Sequence, residues 1–253
     1  MPLLCHHEGY VTTLTFNRPP ANTMTMASFE ALSNKLVSLK DDKNTRVIIL
    51  TGQGDKGFSA GFDLSEAAKS GQVHQYAQDL CNQLEAFPKP IIAAINGYAL
   101  GGGCEIAMSC HIRMMIDSPK AVIGLPESNL GVLPVWGGTQ RLPQLIGKAK
   151  ALEMMCFSQK ISAQEAFKIG LVDYVFSTEE FQQTVFDYAH ALAKRPPLAV
   201  SAIMRAMYQG EKEGLAKGLE AELNEVIKLG ASKDAIEGIQ AFFQKREPNF
   251  TGE

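Results

Sequence analysis

An apolar strand that runs into three consecutive glycines and then a carboxylate constrains this chain more than any other feature. Ile91-Ile92-Ala93-Ala94-Ile95 is a short continuous apolar run, as expected of a strand covered on both faces. It enters Gly97-Tyr98-Ala99-Leu100-Gly101-Gly102-Gly103, and Cys104 to Ser109 reads as a helix with Glu105 in its first turn. Glycines at such a junction let a ligand approach the backbone closely. The N–H groups at a helix start have no intrahelical acceptor, and the helix dipole favours negative charge beside them. That chemistry suits a developing oxyanion. A tight strand-to-helix packing turn explains the same residues equally well. A second donor would tip the balance, and the Ala60-Gly61-Phe62-Asp63 turn, after the earlier apolar run Val47-Ile48-Ile49-Leu50, could supply it.

Other segments fill in an α/β plan. Tyr10 to Asn17 reads as a strand, Thr25 as the N-cap of a helix carrying Phe29, Leu32, Leu36 and Leu39, and Leu80 to Phe87 as a helix stopped by Pro88. Ile112 to Ile116 and Val122 to Leu125 fit further strands. Beyond Gly137 helical signals dominate. Ser162-Ala163-Gln164-Glu165 is a capping box, Gly170 a helix stop, and Ser232 to Lys245 the last helix. The expected division is a core domain over 1–195 and a C-terminal helical region over 196–253, broken at Pro196-Pro197.

Composition excludes several functions. With 253 residues and a formal charge of -3, the chain carries no basic excess for a phosphate backbone, so no nucleic-acid partner is expected. No stretch approaches the roughly 18 apolar residues of a membrane span, so no membrane partner is expected either. The N-terminus has no signal or transit character and the C-terminus no peroxisomal address. Five scattered cysteines without a Cys-x-x-Cys pair point to reduced thiols and a cytoplasmic location.

Single motifs remain ambiguous. Gly52-x-Gly54-x-x-Gly57 has dinucleotide spacing, but Phe58 to Asp63 is a poor helix start, which argues against nicotinamide binding. The histidines (His6, His7, His74, His111 and His190) show no helical metal-binding pair, so no metal site is expected. Cys104 reads as a packing thiol. Glu127, after Pro126, is either an acid at a helix N-terminus or a desolvated functional group.

Taken in order along nearly the whole chain, these pieces resemble the enoyl-CoA hydratase/isomerase (crotonase) family. The matching segments are Phe58 to Leu64, Ala94 to Glu105, Pro126-Glu127, Leu130-Gly131, Leu133-Pro134, Gly137 to Leu142, Ile161 to Ser162-Ala163, Gly170-Leu171-Val172, and Phe242 to Phe250. The resemblance implies the crotonase fold: stacked ββα units forming two sheets, with a C-terminal helical trimerisation region. It implies acyl-CoA substrates and no separate cofactor, CoA being part of the substrate. It places the thioester oxygen between the N–H groups of Phe62 and Gly102. Glu105 would hold and activate water while Glu127 exchanges the Cα proton, which makes hydration of a 2-enoyl-CoA the leading activity. Ala60, Asp63 and Leu64 would line the adenine site, largely through backbone groups. Phe242 and Lys245 would reach the nucleotide end of a neighbouring subunit's ligand in a homotrimer or dimer of trimers.

Four departures stand out against that pattern, the first being a Glu105-to-Glu127 stretch about two residues longer than in a typical hydratase, which implies an inserted bend before Glu127. Phe62 stands where hydratases commonly have Ala, Val135-Trp136 where they have Gly and a small residue, and no basic residue follows Pro19. Val135 and Trp136 would border the acyl tail and favour short or flat acyl groups. Trp136 could instead point outward into a subunit contact, since interfaces also favour Trp. The competing activities are an enoyl-CoA isomerase, which needs mainly Glu127, and a non-catalytic interaction or RNA-binding protein of the same fold. The acidic balance and the Glu105–Glu127 pair argue against the last.

Overall fold

The structure is a computed structural model that describes the backbone of residues 1–253 and the side chains of residues 1–66 and 71–253. The strands are β1 (Leu3–Glu8), β2 (Val11–Phe16), β3 (Val47–Gly52), β4 (Gly57–Ser59), β5 (Ile91–Ile95), β6 (Tyr98–Leu100), β7 (Ile112–Asp117), β8 (Val122–Gly124), β9 (Lys160–Ser162) and β10 (Tyr174–Ser177). The helices are α1 (Met26–Lys40), α2 (Ser70–Glu85), α3 (Gly102–Met108), α4 (Gly138–Ile146), α5 (Lys148–Cys156), α6 (Ala163–Lys168), α7 (Phe181–Ala193), α8 (Pro197–Glu213), α9 (Leu215–Leu229) and α10 (Lys233–Gln244).

Two sheets organise the chain. The larger has the order β1-β2-β3-β5-β7-β10 and the smaller β4-β6-β8-β9. Three times in succession the chain lays one strand in the large sheet and the next in the small one: β3 then β4, β5 then β6, β7 then β8. The first two of these pairs lead into α2 and α3, which makes them the expected stacked ββα units. β3, β5 and β7 pair in parallel, as do β4, β6 and β8. Helical crossovers are what parallel neighbours require.

The apolar runs read from the sequence are buried on both faces. Ile48 and Leu50 of β3 and Ile91, Ala93 and Ile95 of β5 join a core with Phe29, Leu36, Phe58, Leu80 and Trp136. Val47, Ile49, Ile92 and Ala94 face the opposite side, where α7 covers them with Phe181, Val185 and Ala189. Each large side chain so buried contributes about 1.5–3 kcal/mol of transfer free energy.

Thr25 and Ser28 form a capping box at the start of α1, and Ser162 accepts a hydrogen bond from Glu165 N at the start of α6. The sequence reading differs from the structure in two places. β1 was not anticipated, because all but the first of its residues are exposed and no buried alternation marks it. The four strands of the small sheet are each three residues long, too short to carry a period, and of them only β8 is foreshadowed, by the Val122 to Leu125 run.

Candidate active site

The two glycine-containing turns named from sequence meet at the small sheet. β4 and β6 are parallel neighbours, and their C-terminal ends deliver the Ala60–Asp63 turn and the Gly101–Gly103 turn side by side. A Cβ placed on Gly61 would stand 2.8 Å from the Gly102 nitrogen, so only a glycine lets these backbones approach. The first turn is clamped by the segment before α1: Ala60 N donates to Ala21 O, Met24 N to Gly61 O, and Asp63 N to Met24 O. Ser59 Oγ donates to Asn22 O, and Gly61 N donates to Ser59 Oγ. Every N–H around Phe62 is thereby spent, while that of Phe62 itself has no acceptor among the described residues. In the second turn Gly101 N donates to Gly124 O of β8, and Gly102 opens α3 with its N–H likewise without an acceptor among the described residues.

Both carboxylates line the same cavity, of about 430 Å³, together with Ala60, Phe62, Leu64, Gly102, Val135 and Trp136. Glu105 is 2% exposed. Its Oε1 accepts hydrogen bonds from Trp136 N and Gly138 N, both at 2.8 Å. Burial pushes its pKa up to about 8, and the neighbouring charge of Glu127 adds to the push against those two donors. Glu127 begins the turn after Pro126, with Oε1 2.9 Å from where a Cβ on Gly101 would lie. Its Oε2 is buried without a hydrogen-bond partner among the described residues, and burial raises its pKa. Among the described residues no group of three or more His, Cys, Asp or Glu side chains could hold a metal ion.

The wall behind Glu105 is aromatic and rigid. The Trp136 ring packs edge-on to Phe29, with centroids 5.1 Å apart, and edge-on to Phe62 at 6.4 Å. A Cβ on Gly102 would collide with Trp136 Cζ3 at 1.8 Å, so the indole lies directly against the oxyanion turn. Trp136 is 2% exposed. The outward-pointing alternative for this residue is therefore corrected: its ring fills the cavity wall of its own chain and is not free for a subunit contact. The backbone there is fastened by Arg141, whose Nη1 donates to Trp136 O and whose Nη2 reaches Asn82 and Glu85 on α2.

The remaining residues named from sequence divide. Ala60, Leu64 and Val135 line the cavity. Asp63 does not line it. Its carboxylate accepts hydrogen bonds from the Ser65 hydroxyl and N–H and pairs with Arg18 at 2.9 Å, which together hold its pKa below the usual range. Phe242 and Lys245 lie at the exposed end of α10, outside the cavity lining. Sequence reasoning missed His74. It sits on α2, lines the cavity, accepts a hydrogen bond at Nδ1 from Trp136 Nε1 at 3.2 Å, and packs on Phe62 at 5.3 Å. An isolated histidine gives no spacing signal, and only the fold brings it to Trp136.

A family model described as enoyl-CoA hydratase/isomerase matches residues 6–253. The chain belongs to the enoyl-CoA hydratase/isomerase family. A probable enoyl-CoA hydratase from Bacillus subtilis is 40% identical, with 97% of each chain covered. A crotonyl-CoA hydratase from Syntrophomonas wolfei is 35% identical over 98% of this chain and 97% of its own. The solved structure of an enoyl-CoA hydratase from Bacillus anthracis superimposes with a TM-score of 0.96 at 37% identity, covering all of both chains. The crotonase fold expected from sequence is thus the fold of the molecule. Among the described residues no helix is long and apolar enough to cross a membrane.

Proposed function

We propose that this member of the family is an enoyl-CoA hydratase that adds water across the 2,3 double bond of a short 2-enoyl-CoA thioester, with Glu105 and Glu127 as its acid–base pair. The observation that carries the reading is the placement of one buried and one half-buried carboxyl, both with raised pKa, in one cavity with two unspent backbone N–H groups. The thioester oxygen sits between the N–H groups of Phe62 and Gly102, which stabilise the enolate-like charge that builds there. Glu105 keeps Oε1 on its two backbone donors and holds water with Oε2. Its raised pKa makes it a stronger base once ionised, suited to taking a proton from water near neutral pH. Glu127 delivers its proton to Cα. Two carboxyls in a dry site resist double ionisation, so one proton between them satisfies both roles. An isomerase needs only one such group, and two filled positions favour hydration. Ala60 and Leu64 of the cavity lining, with the backbone of Asp63 beside them, face the CoA end. Phe242 and Lys245 complete that end on a neighbouring chain of a homotrimer or dimer of trimers. The five unpaired cysteines support a reducing, cytoplasmic setting.

The test is loss of the conjugated-thioester absorbance of crotonyl-CoA. Glu105→Gln and Glu127→Gln are each expected to lower kcat by about 10²–10⁴. If Glu105→Gln hydrates near the wild-type rate while Glu127→Gln is dead, Glu105 has no part in the acid–base pair; a wild type that leaves that absorbance unchanged overturns the hydratase reading and favours isomerisation.

A further inference from the structure

His74 is the one polar side chain of the cavity lining, among the described residues, that the hydration chemistry leaves unused. Its Nδ1 is committed as acceptor to the Trp136 indole N–H. An imidazole that accepts at one nitrogen and is neutral carries its proton on the other. Burial lowers the pKa of His74, which keeps the ring neutral at physiological pH. Nε2 is then an N–H donor with no acceptor among the described residues. The Phe62 ring on one side and the bonded indole on the other fix the imidazole plane.

The indole also fixes where this donor stands relative to the reacting thioester. Its six-membered edge lies against Gly102, and its Nε1 edge holds His74. His74 therefore stands beyond the far edge of the indole from the oxyanion turn, in the lining of the same cavity. An apolar tail laid there would strip water from the N–H and give it nothing in return, whereas an oxygen at that depth would satisfy it.

We propose that His74 is a specificity residue that donates a hydrogen bond to a neutral oxygen on the acyl chain, so that the preferred substrates are short 2-enoyl-CoA thioesters bearing a hydroxyl or carbonyl beyond Cβ. The inference rests on the hydratase reading and deepens it. A neutral donor suits a neutral oxygen better than a carboxylate, whose burial would call for a cation.

The experiment compares kcat/KM for three thioesters. One is 2-hexenoyl-CoA with a hydroxyl on the fifth carbon, the second has a methyl in place of that hydroxyl, and the third is a 2-butenoyl-CoA with a terminal carboxylate. The hydroxyl compound is expected to exceed its methyl isostere at least tenfold, because sites built to hydrogen-bond a substrate group discriminate strongly against analogues lacking it. His74→Phe should collapse that ratio to about one, while His74→Gln, which keeps an N–H donor, retains part of it. The ratio is read within each variant, so partial loss of folded enzyme cancels. An unchanged ratio in His74→Phe, a wild type that prefers the methyl isostere, or a carboxylate that outruns the hydroxyl each overturns the proposal. In any of these cases continued hydration of crotonyl-CoA leaves the hydratase reading standing. A wild type that hydrates no thioester at all removes both.

Discussion

Glu105 has two backbone donors on one oxygen and still lies well above the ordinary carboxyl range, because burial and the charge of Glu127 outweigh them. That balance has a consequence for stability. A carboxyl whose folded-state pKa, about 8, exceeds its usual 4.5 binds a proton more tightly in the native state than in the unfolded one. The stability it contributes is complete below about 4.5 and is lost as pH rises through about 8. Wild-type thermal stability should therefore fall between pH 6 and pH 9. Glu105→Gln can keep both N–H bonds on its amide oxygen without a charge to bury, so it should fall less and be the more stable protein at pH 9, by on the order of a few kcal/mol. Thermal unfolding of both proteins across that range checks this. Parallel curves would mean that Glu105 does not titrate as its surroundings demand.

At the scale of elements, the β6–α3 junction is where backbone approach sets the site. Gly101 takes a φ of 55°, and Gly103 could carry a Cβ only 2.3 Å from Ser59 O. Gly102 is limited by a different neighbour, the Trp136 ring. Overpacking of this kind costs about 1–3 kcal/mol. Gly102→Ala should lower the thermal midpoint by about 2–4 °C for each kcal/mol, and the loss should shrink by more than half in a Trp136→Ala background where the ring is gone. Additive losses at one protein concentration would show that the indole is not what Gly102 accommodates.

The same junction explains how far sequence could go. Ile91–Ile95 and the glycines after it were legible because a covered strand and a glycine turn leave local composition signals. Phe62 and Gly102 could be named as separate turns, but their pairing depends on β4 lying beside β6, a long-range contact that no local period encodes. Trp136 and His74 were undecided or missed for the same reason. They meet across 62 positions of sequence, and only the folded wall joins them. The exposed strand β1 left no apolar alternation to read.

For the whole molecule, the C-terminal helices present a surface that a solitary chain does not explain. α8 and α9 turn back on one another through Gly214, close enough that a Cβ on Gly218 would lie 2.8 Å from the Gly210 Cα. Along α9 the exposed residues Leu215, Leu219, Leu223, Val226 and Ile227 recur at spacings of three and four, which places them on one face. Phe242 and Phe243 form a second exposed apolar pair at the end of α10, with Phe242 78% exposed. Phe250, by contrast, is half-buried over Gly238, and its carbonyl accepts from Arg46 Nη2, so the tail docks on its own chain. An exposed apolar helix face of this kind usually marks an interface. Its position fits the proposed trimer, in which α10 brings Phe242 and Lys245 to a neighbour's CoA. Charges on α9 would have to be buried without partners in such an assembly. Leu219→Glu combined with Leu223→Glu is therefore expected to lower the mass in solution from a multiple of three chains to one and to raise KM for the CoA thioester through loss of the neighbour's contribution. Light scattering and steady-state kinetics on the same preparation measure both. A wild type that is monomeric at micromolar concentration would remove the trimer, and a double variant that dissociates with KM unchanged would remove the neighbour from the site.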